Sequence, residues 1–422
     1  MAETHTLNSV SSREGGRSWP FAGSRGGLAA LAFFAVFALN FGAYRVFGDG
    51  EQYFSLLERL FGDRGEGSGY NFGVGLMNAP FYAAAKVVEA AGFGTGGHSI
   101  TAASITIASV FWLLVAGLVT LWLLERLGLP ERGLAVGAAL LGTPAWYYAS
   151  FSPSYSHAAD AGAFALAAAG VWFLWHQPGT TAVLATGGAL GLAVAVRPFN
   201  AGVVAGCLLA LVAFHRYRDA VLTGAAAVGT FGALATIPLS LGLSLTSRFD
   251  GTSVLAGAVG FAPLSPLRML FSLHRGLFVW TPVTLLALVG LALLLRGHRE
   301  RPFLVTLASM GAGLLLIQAG LDWWDGGWSF SMRHFAAPVV LYGIGIAGLL
   351  AAATPLRLVA AVVVIATAWS VFLGMNHAFG ASQEDGADDI AGKVLSGERT
   401  PREFADLTWS YSRTRHVVER LP

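Results

Sequence analysis

The sequence predicts an all-α membrane protein, a polytopic transmembrane bundle of about 11 helices, within a range of about 10–12. Hydrophobic residues make up 55% of its 422 residues, and glycine contributes another 54. Charged residues make up only 12%, against about 25% in an ordinary soluble domain. So few charges cannot cover a water-exposed surface, which excludes a soluble globular protein and a disordered chain.

Apolar runs near the length of a membrane span recur along the chain, since a spanning helix needs about 20 apolar residues. The first run is longer than a signal-peptide core and lacks a convincing cleavage site, so we expect it to be retained. Segment 72–92 carries Pro80, Lys86 and Glu89 and is ambiguous by composition. The predicted spans are 27–46, 99–124, 133–148, 157–176, 181–196, 200–214, 220–244, 277–295, 302–319, 335–352 and 357–376.

The placement of basic residues predicts the orientation in the plasma (inner) membrane. Arg296–Arg301 is the densest basic cluster and should face the cytoplasm. This requires a cytoplasmic N-terminus and a segment 72–92 that lies in the outer interface instead of spanning. The predicted domains are therefore a cytoplasmic arm (1–25), a transmembrane domain (26–376) with outer loop 47–98, and a short extracytoplasmic tail (377–422).

The cysteine count and the motifs that the sequence lacks exclude several classes of chemistry. Cys207 is the single cysteine, which excludes an intrachain disulfide and a cysteine-based metal site. The sequence has no Walker, dinucleotide-binding, zinc-protease or Gly-x-Ser-x-Gly motif. A net charge of +2 gives no indication of a nucleic-acid partner.

Two carboxylates open the predicted outer loop, in Gly48-Asp-Gly-Glu-Gln-Tyr53. Asp49 and Glu51 could hold a metal or a hydroxyl group, or could belong to a solvated acidic loop. The helical periodicity that begins at Tyr53 places this pair at a helix N-terminus, where the helix dipole favours an ionised carboxylate.

Other polar segments fall at the same predicted face. Tyr155 and His157 could bind phosphate, or serve as part of an N-cap and an interfacial aromatic belt. Arg197 and Asn200 could bind an anionic headgroup, and two other segments place an arginine in a similar way. A lone Arg197 could instead simply extend its side chain to the interface. Asp160 should face the bundle interior, because an acid is costly in lipid. The two similar placements are His274-Arg275 and Arg333-His334.

An aromatic and acidic loop, Asp322-Trp-Trp-Asp-Gly-Gly-Trp328, completes this set. Trp324 and Trp328 are compatible with an ordinary interfacial belt or with stacking on sugar rings.

Taken in order, these segments resemble the GT-C superfamily of polytopic glycosyltransferases, over roughly 27–376. Its protein O-mannosyltransferase and aminoarabinose-transferase members are the characterised proteins that the sequence resembles. The segments that carry the resemblance are Gly-Asp-Gly-x-x-Tyr, Gly-Leu-x-x-Ala-Pro-Phe-Tyr at 75–82, Pro-Ser-x-Ser-His, Val-Arg-Pro-x-Asn, His-Arg-Gly-Leu-Phe-x-Trp-Thr-Pro and Trp-Trp-x-Gly-Gly-Trp-Ser-Phe with a following Arg.

The resemblance implies transfer of a sugar from a polyprenyl-phosphate donor to a hydroxyl of a glycan, lipid or protein, outside the membrane and with inversion. Asp49 matches the family's essential acid and is predicted as general base. Glu51 could orient the acceptor or share a divalent cation with Asp49, and no other cofactor is predicted. The remaining predicted substrate-binding residues are Tyr53, Tyr155, His157, Arg197, Asn200, His274, Arg275, Trp324, Trp328 and Arg333.

A transporter or flippase for a lipid-linked or anionic substrate is the alternative function. Alternating access places polar groups near the midplane of the membrane, whereas the polar groups of this sequence concentrate at helix ends.

Overall fold

The protein is described by a computed structural model that covers residues 25–63, 69–93, 99–245, 266–273, 275–320, 329–379 and 396–397. Over these ranges the chain forms 16 α-helices and no strand. The helices are α1 (Arg25–Asn40), α2 (Gly50–Leu60), α3 (Phe72–Ala90), α4 (Ile100–Arg126), α5 (Arg132–Leu141), α6 (Ala145–Ser150), α7 (His157–His176), α8 (Thr180–Val196), α9 (Ala201–Ala213), α10 (Tyr217–Ser240), α11 (Pro266–Phe271), α12 (Leu277–Trp280), α13 (Val283–Gly297), α14 (Arg301–Ala319), α15 (Val339–Ala352) and α16 (Leu356–Phe379). Two 3₁₀ turns, Pro198–Asn200 and Arg333–Phe335, precede α9 and α15.

The apolar helices confirm the predicted all-α polytopic membrane protein. Five of them, α4, α7, α10, α14 and α16, are long and apolar enough to cross a membrane, judged by length and composition. Shorter apolar helices of 10–17 residues are α1, α5, α8, α9, α13 and α15. Each predicted span corresponds to one of these helices, whereas the predicted arm 1–25 and tail 377–422 lie almost entirely outside the described residues.

Proline divides or shortens three of the predicted spans, so their predicted boundaries were wrong. Span 133–148 is divided into α5 and α6 at Pro144, and span 277–295 into α12 and α13 at Pro282. Helix α15 begins only after Pro338. The physical reason is that proline lacks an amide donor and disfavours the helical conformation in the residue before it.

Glycines let two helix pairs pack with their backbones in contact. A Cβ added at Gly206 in α9 would lie 2.0 Å from the carbonyl oxygen of Ser309 in α14. A Cβ added at Gly290 in α13 would lie 1.8 Å from the carbonyl oxygen of Gly345 in α15. Small residues at such crossings allow the close van der Waals packing on which helix association in lipid depends.

Helix α3 lies along one end of the bundle and does not pass through it. At its start, Gly73 packs against Val196 at the end of α8. Near its end, the Glu89 carboxylate accepts a hydrogen bond of 3.1 Å from the Thr101 amide, in the first turn of α4. Both ends of α3 therefore contact the same end of the bundle, which we call the site end, and that 72–92 does not span the membrane stays a prediction.

Candidate functional site

An ion pair at the site end joins two of the predicted site residues. Asp49 immediately precedes α2, and Arg333 begins the 3₁₀ turn before α15. One Asp49 carboxylate oxygen, Oδ2, lies 3.3 Å from Arg333 Nη1, across 284 residues of sequence. The Asp49 side chain is 37% exposed and that of Arg333 is 15% exposed. The carboxylate is thus the more accessible partner of the pair.

The position of Asp49 as predicted, at a helix start, is confirmed, but its side chain does not cap the helix. Asp49 occupies the N-cap position of α2 and makes no side-chain hydrogen bond to the helix. Its carboxylate is therefore available for contacts away from α2, as the Arg333 pair shows.

The glycines around Asp49 allow the chain to pack against the loop before α7. Gly48 has a φ of +59°, and a Cβ there would lie 2.6 Å from the Tyr155 hydroxyl. A Cβ at Gly50 would lie 2.3 Å from the Ser154 Cβ. The Ser154 hydroxyl also donates to the Phe47 carbonyl at 3.1 Å. This packing fixes the backbone on both sides of Asp49.

Two tyrosines belong to the surroundings of the ion pair. The ring of Tyr155 faces the Arg333 guanidinium, with 5.8 Å between the ring centroid and Cζ. Tyr53 is buried, and its hydroxyl accepts a hydrogen bond of 3.1 Å from Asn71. Burial, followed by the nearby charge of Asp49, raises the pKa of Tyr53. The Tyr53 phenol therefore stays protonated at neutral pH.

The guanidinium of Arg333 stays charged in this setting. Burial acts to lower the pKa of Arg333, but the Asp49 carboxylate, followed by Tyr148 and Tyr155, outweighs it, so the pKa is raised. Arg333 Nε is buried and has no hydrogen-bond partner among the described residues.

A second, fully buried cluster lies around Arg197. Arg197 Nη1 lies 3.3 Å from His157 Nδ1 and 3.4 Å from Asp160 Oδ2, and its Nη2 bonds to His334 Nδ1. The Asn200 amide donates to Asp160 Oδ1 at 2.6 Å. All five side chains are buried. Asp160 faces the interior, as predicted, and Arg197 does not extend to the interface.

The Arg197 contacts determine which nitrogen of each histidine carries the proton. Arginine has only donors, so both Nδ1 atoms must accept, and the protons of His157 and His334 then lie on Nε2. Burial, followed by the charges of Arg197 and Arg333, holds the pKa of His334 well below its ordinary value. His334 is therefore neutral at physiological pH.

The other predicted site residues differ in how well the structure places them. Glu51 is exposed in the first turn of α2, and Arg275 is buried in the turn before α12. No group of three or more His, Cys, Asp or Glu that could hold a metal ion occurs among the described residues. A cation at Asp49 and Glu51 would therefore need further ligands, and it stays a prediction. His274, Trp324 and Trp328 lie outside the described residues.

No protein-family model matches this sequence, and no curated protein matches it. The structure is similar to the crystal structure of ArnT from Cupriavidus metallidurans bound to undecaprenyl phosphate, with a TM-score of 0.54 and 16% sequence identity. The similarity covers 85% of this chain and 65% of that chain. The protein has a GT-C-like fold. The fold expected from the sequence resemblance is thereby confirmed, and the chain spans 65% of the length of the ArnT structure.

Within this GT-C-like fold, sequence reasoning did not select His334 as a site residue. The only signal was its place beside Arg333 at the start of a predicted helix. The structure shows that these two neighbours serve different clusters, since Arg333 pairs with Asp49 and His334 with Arg197.

Proposed function

We propose that this protein is a membrane glycosyltransferase that transfers a sugar from a polyprenyl-phosphate donor to an acceptor hydroxyl. The observation that carries the proposal is the partly exposed Asp49 carboxylate, held beside the Arg333 guanidinium at one end of a GT-C-like fold. A general base and a cation for the leaving group are the two charges that this reaction needs. The similar ArnT structure was crystallised with undecaprenyl phosphate, a lipid of the class proposed here as carrier.

The proposed reaction is a single displacement at the anomeric carbon of the sugar. The acceptor oxygen forms a bond to this carbon while Asp49 takes the hydroxyl proton. The bond from the anomeric carbon to the phosphate oxygen breaks on the opposite side, and its electron pair stays on the polyprenyl phosphate. Arg333 stabilises that developing negative charge. The products are the inverted glycoside, polyprenyl phosphate and protonated Asp49, which returns its proton to water.

The basic turns support an extracytoplasmic position for this site. The exposed residues Arg296, Arg299 and Arg301 lie where α13 ends and α14 begins, at the end of the bundle opposite the site end. Clusters of this kind favour the cytoplasmic side of a membrane. In this orientation the protein is a multi-pass plasma-membrane enzyme with its N-terminus inside.

The distribution of charge also argues against the alternative of a transporter or flippase. Every Asp, Glu, Lys and Arg of the eleven apolar helices lies in the first or last turn of its helix. The buried pair of Asp160 and Arg197 lies at the site end, where α7 begins and α8 ends. Transporters that work by alternating access bind their substrates near the midplane.

The deciding experiment is a transfer assay with purified protein and a panel of polyprenyl-phosphate sugars. We expect at least one donor to be consumed with release of free polyprenyl phosphate, and we expect Asp49→Asn to abolish most of this release. Movement of a lipid-linked sugar across proteoliposomes, with no release from any donor, would favour the transporter instead.

A further inference from the structure

The two charged groups of the proposed reaction are bonded to each other in this structure. Asp49 should accept a proton from the acceptor, and Arg333 should bind the donor phosphate. However, Asp49 Oδ2 and Arg333 Nη1 lie 3.3 Å apart and form one ion pair. In this ion pair, Arg333 engages a carboxylate oxygen that should accept the acceptor proton. Asp49 in turn engages a guanidinium nitrogen that should bind the donor phosphate.

The geometry leaves an incoming phosphate little access to Arg333 without displacing Asp49. The Arg333 side chain is only 15% exposed, its Nε is buried, and the Tyr155 ring covers it at 5.8 Å. The Asp49 side chain is more than twice as exposed, at 37%. An anion that approaches from solvent therefore meets the carboxylate before the guanidinium.

The structure also holds Arg333 more firmly than it holds the Asp49 side chain. Arg333 is positioned by its own turn, in which its amide donates to the Ser331 carbonyl at 3.0 Å, and by His334, which bonds to the buried Arg197. The Asp49 backbone is packed, but its side chain makes no cap bond to α2. A side-chain rotation of Asp49 is therefore enough to open the pair.

We infer that Asp49 competes with the donor phosphate for Arg333, so that donor binding exchanges the partner of Arg333 and releases Asp49 to act on the acceptor. This inference rests on the proposed function. It makes catalysis ordered, because an acceptor that arrives first meets a carboxylate bonded to Arg333. It also limits proton abstraction without a donor in place.

The test measures binding of undecaprenyl phosphate alone, which needs neither a sugar nor an acceptor. The full chain is used in nanodiscs, as the parent and as Asp49→Asn. A ligand whose site is competent in only a fraction of molecules binds more weakly by that fraction. If Arg333 is free in about a tenth to a third of parent molecules, Asp49→Asn should bind about three- to tenfold more tightly.

Asp63→Asn is the matched control, because it removes one negative charge from the same end of the bundle. Asp63 follows α2 and is engaged by Lys86 at 3.1 Å and by Tyr82 at 2.8 Å. We expect its affinity for undecaprenyl phosphate to equal that of the parent. Asp49→Ser provides a second variant without a carboxylate if the Asn variant does not fold.

A double variant separates partner exchange from simple charge repulsion. In an Arg333→Gln background, removal of the Asp49 carboxylate should give no further gain in affinity, because no guanidinium is released. A gain that persists in this background, or an Asp49→Asn protein that binds no more tightly than the parent, would overturn the inference. A parent that does not bind undecaprenyl phosphate at all would overturn the proposed function itself.

Discussion

The backbone of Asp49 is positioned by the glycines on both sides of it. Gly48 and Gly50 allow the backbone to lie against Tyr155 and Ser154, so the carboxylate is fixed in position without capping its helix. Its contacts are then made with the opposite side of the site, through Arg333. This arrangement suits a base that must remain accessible.

Asp49→Asn should reduce transfer about 10²–10⁴-fold, the usual scale for loss of a general base. The amide keeps the shape of the side chain but cannot take a proton, while donor binding should become tighter. Initial rates with a single polyprenyl-phosphate sugar measure the loss. Transfer at nearly the parental rate would make Asp49 a structural residue.

The main effect of Arg197→Ala should be a loss of protein stability and not a loss of donor affinity. The change leaves Asp160 as an uncompensated buried charge, which costs about 3–5 kcal/mol in comparable cases. Thermal unfolding in detergent measures the effect, with Arg299→Ala as control because that side chain is 75% exposed. A fully stable variant with ten- to a hundredfold weaker donor binding would instead support Arg197 as a phosphate ligand.

The folded protein should lose stability as the pH falls below about 6.5, the ordinary pKa of histidine. Burial and the charges of Arg197 and Arg333 lower the pKa of His334 in the folded state. The unfolded chain therefore binds its proton first, and stability falls with falling pH through this range.

His334→Asn is the variant that tests this pH dependence. It places an acceptor near the position of Nδ1 but cannot be protonated, so the fall in melting temperature between pH 7.5 and 5 should become shallower. An unchanged slope would contradict the assignment to His334.

At the scale of the helix, apolar runs predicted the elements well. A helix makes its backbone hydrogen bonds within one segment, and its apolar side chains can face lipid, so each run specifies its own helix. Boundaries failed at Pro144, Pro282 and Pro338, although these residues are visible in the sequence. The site was less predictable. Arg197, Arg275 and Arg333 have similar local sequence settings, and only the packing of distant helices decides that Arg333 meets Asp49.

The crossing of α9 and α14 should be sensitive to any added side chain. Gly206→Ala places a Cβ against the Ser309 carbonyl, at 2.0 Å, so the helices must separate. Overpacking of this kind costs about 1–3 kcal/mol. Gly229→Ala in α10 is the control, since a Cβ there meets nothing within 4 Å. A Gly206→Ala protein as thermally stable as the Gly229→Ala protein would contradict this packing.

For the whole molecule, the orientation in the membrane determines where every site residue lies. A cysteine replacing Arg299 should be protected from an impermeant thiol reagent in intact cells, and one replacing Arg59 should be labelled. Both positions are exposed, and they lie at opposite ends of the bundle. Cys207 is buried and should contribute no background. The reverse labelling pattern would place the site in the cytoplasm and exclude the proposed extracytoplasmic reaction.

The dipeptide Arg333-His334 has a consequence for how mutations combine. One side chain bonds to Asp49 and the next to Arg197, so a single peptide unit is shared by the partly exposed ion pair and the buried cluster. A backbone shift that relaxes one set of contacts necessarily displaces the other. Substitutions at Asp49 and at Asp160, although made on different helices, should therefore show a measurable coupling energy instead of adding independently.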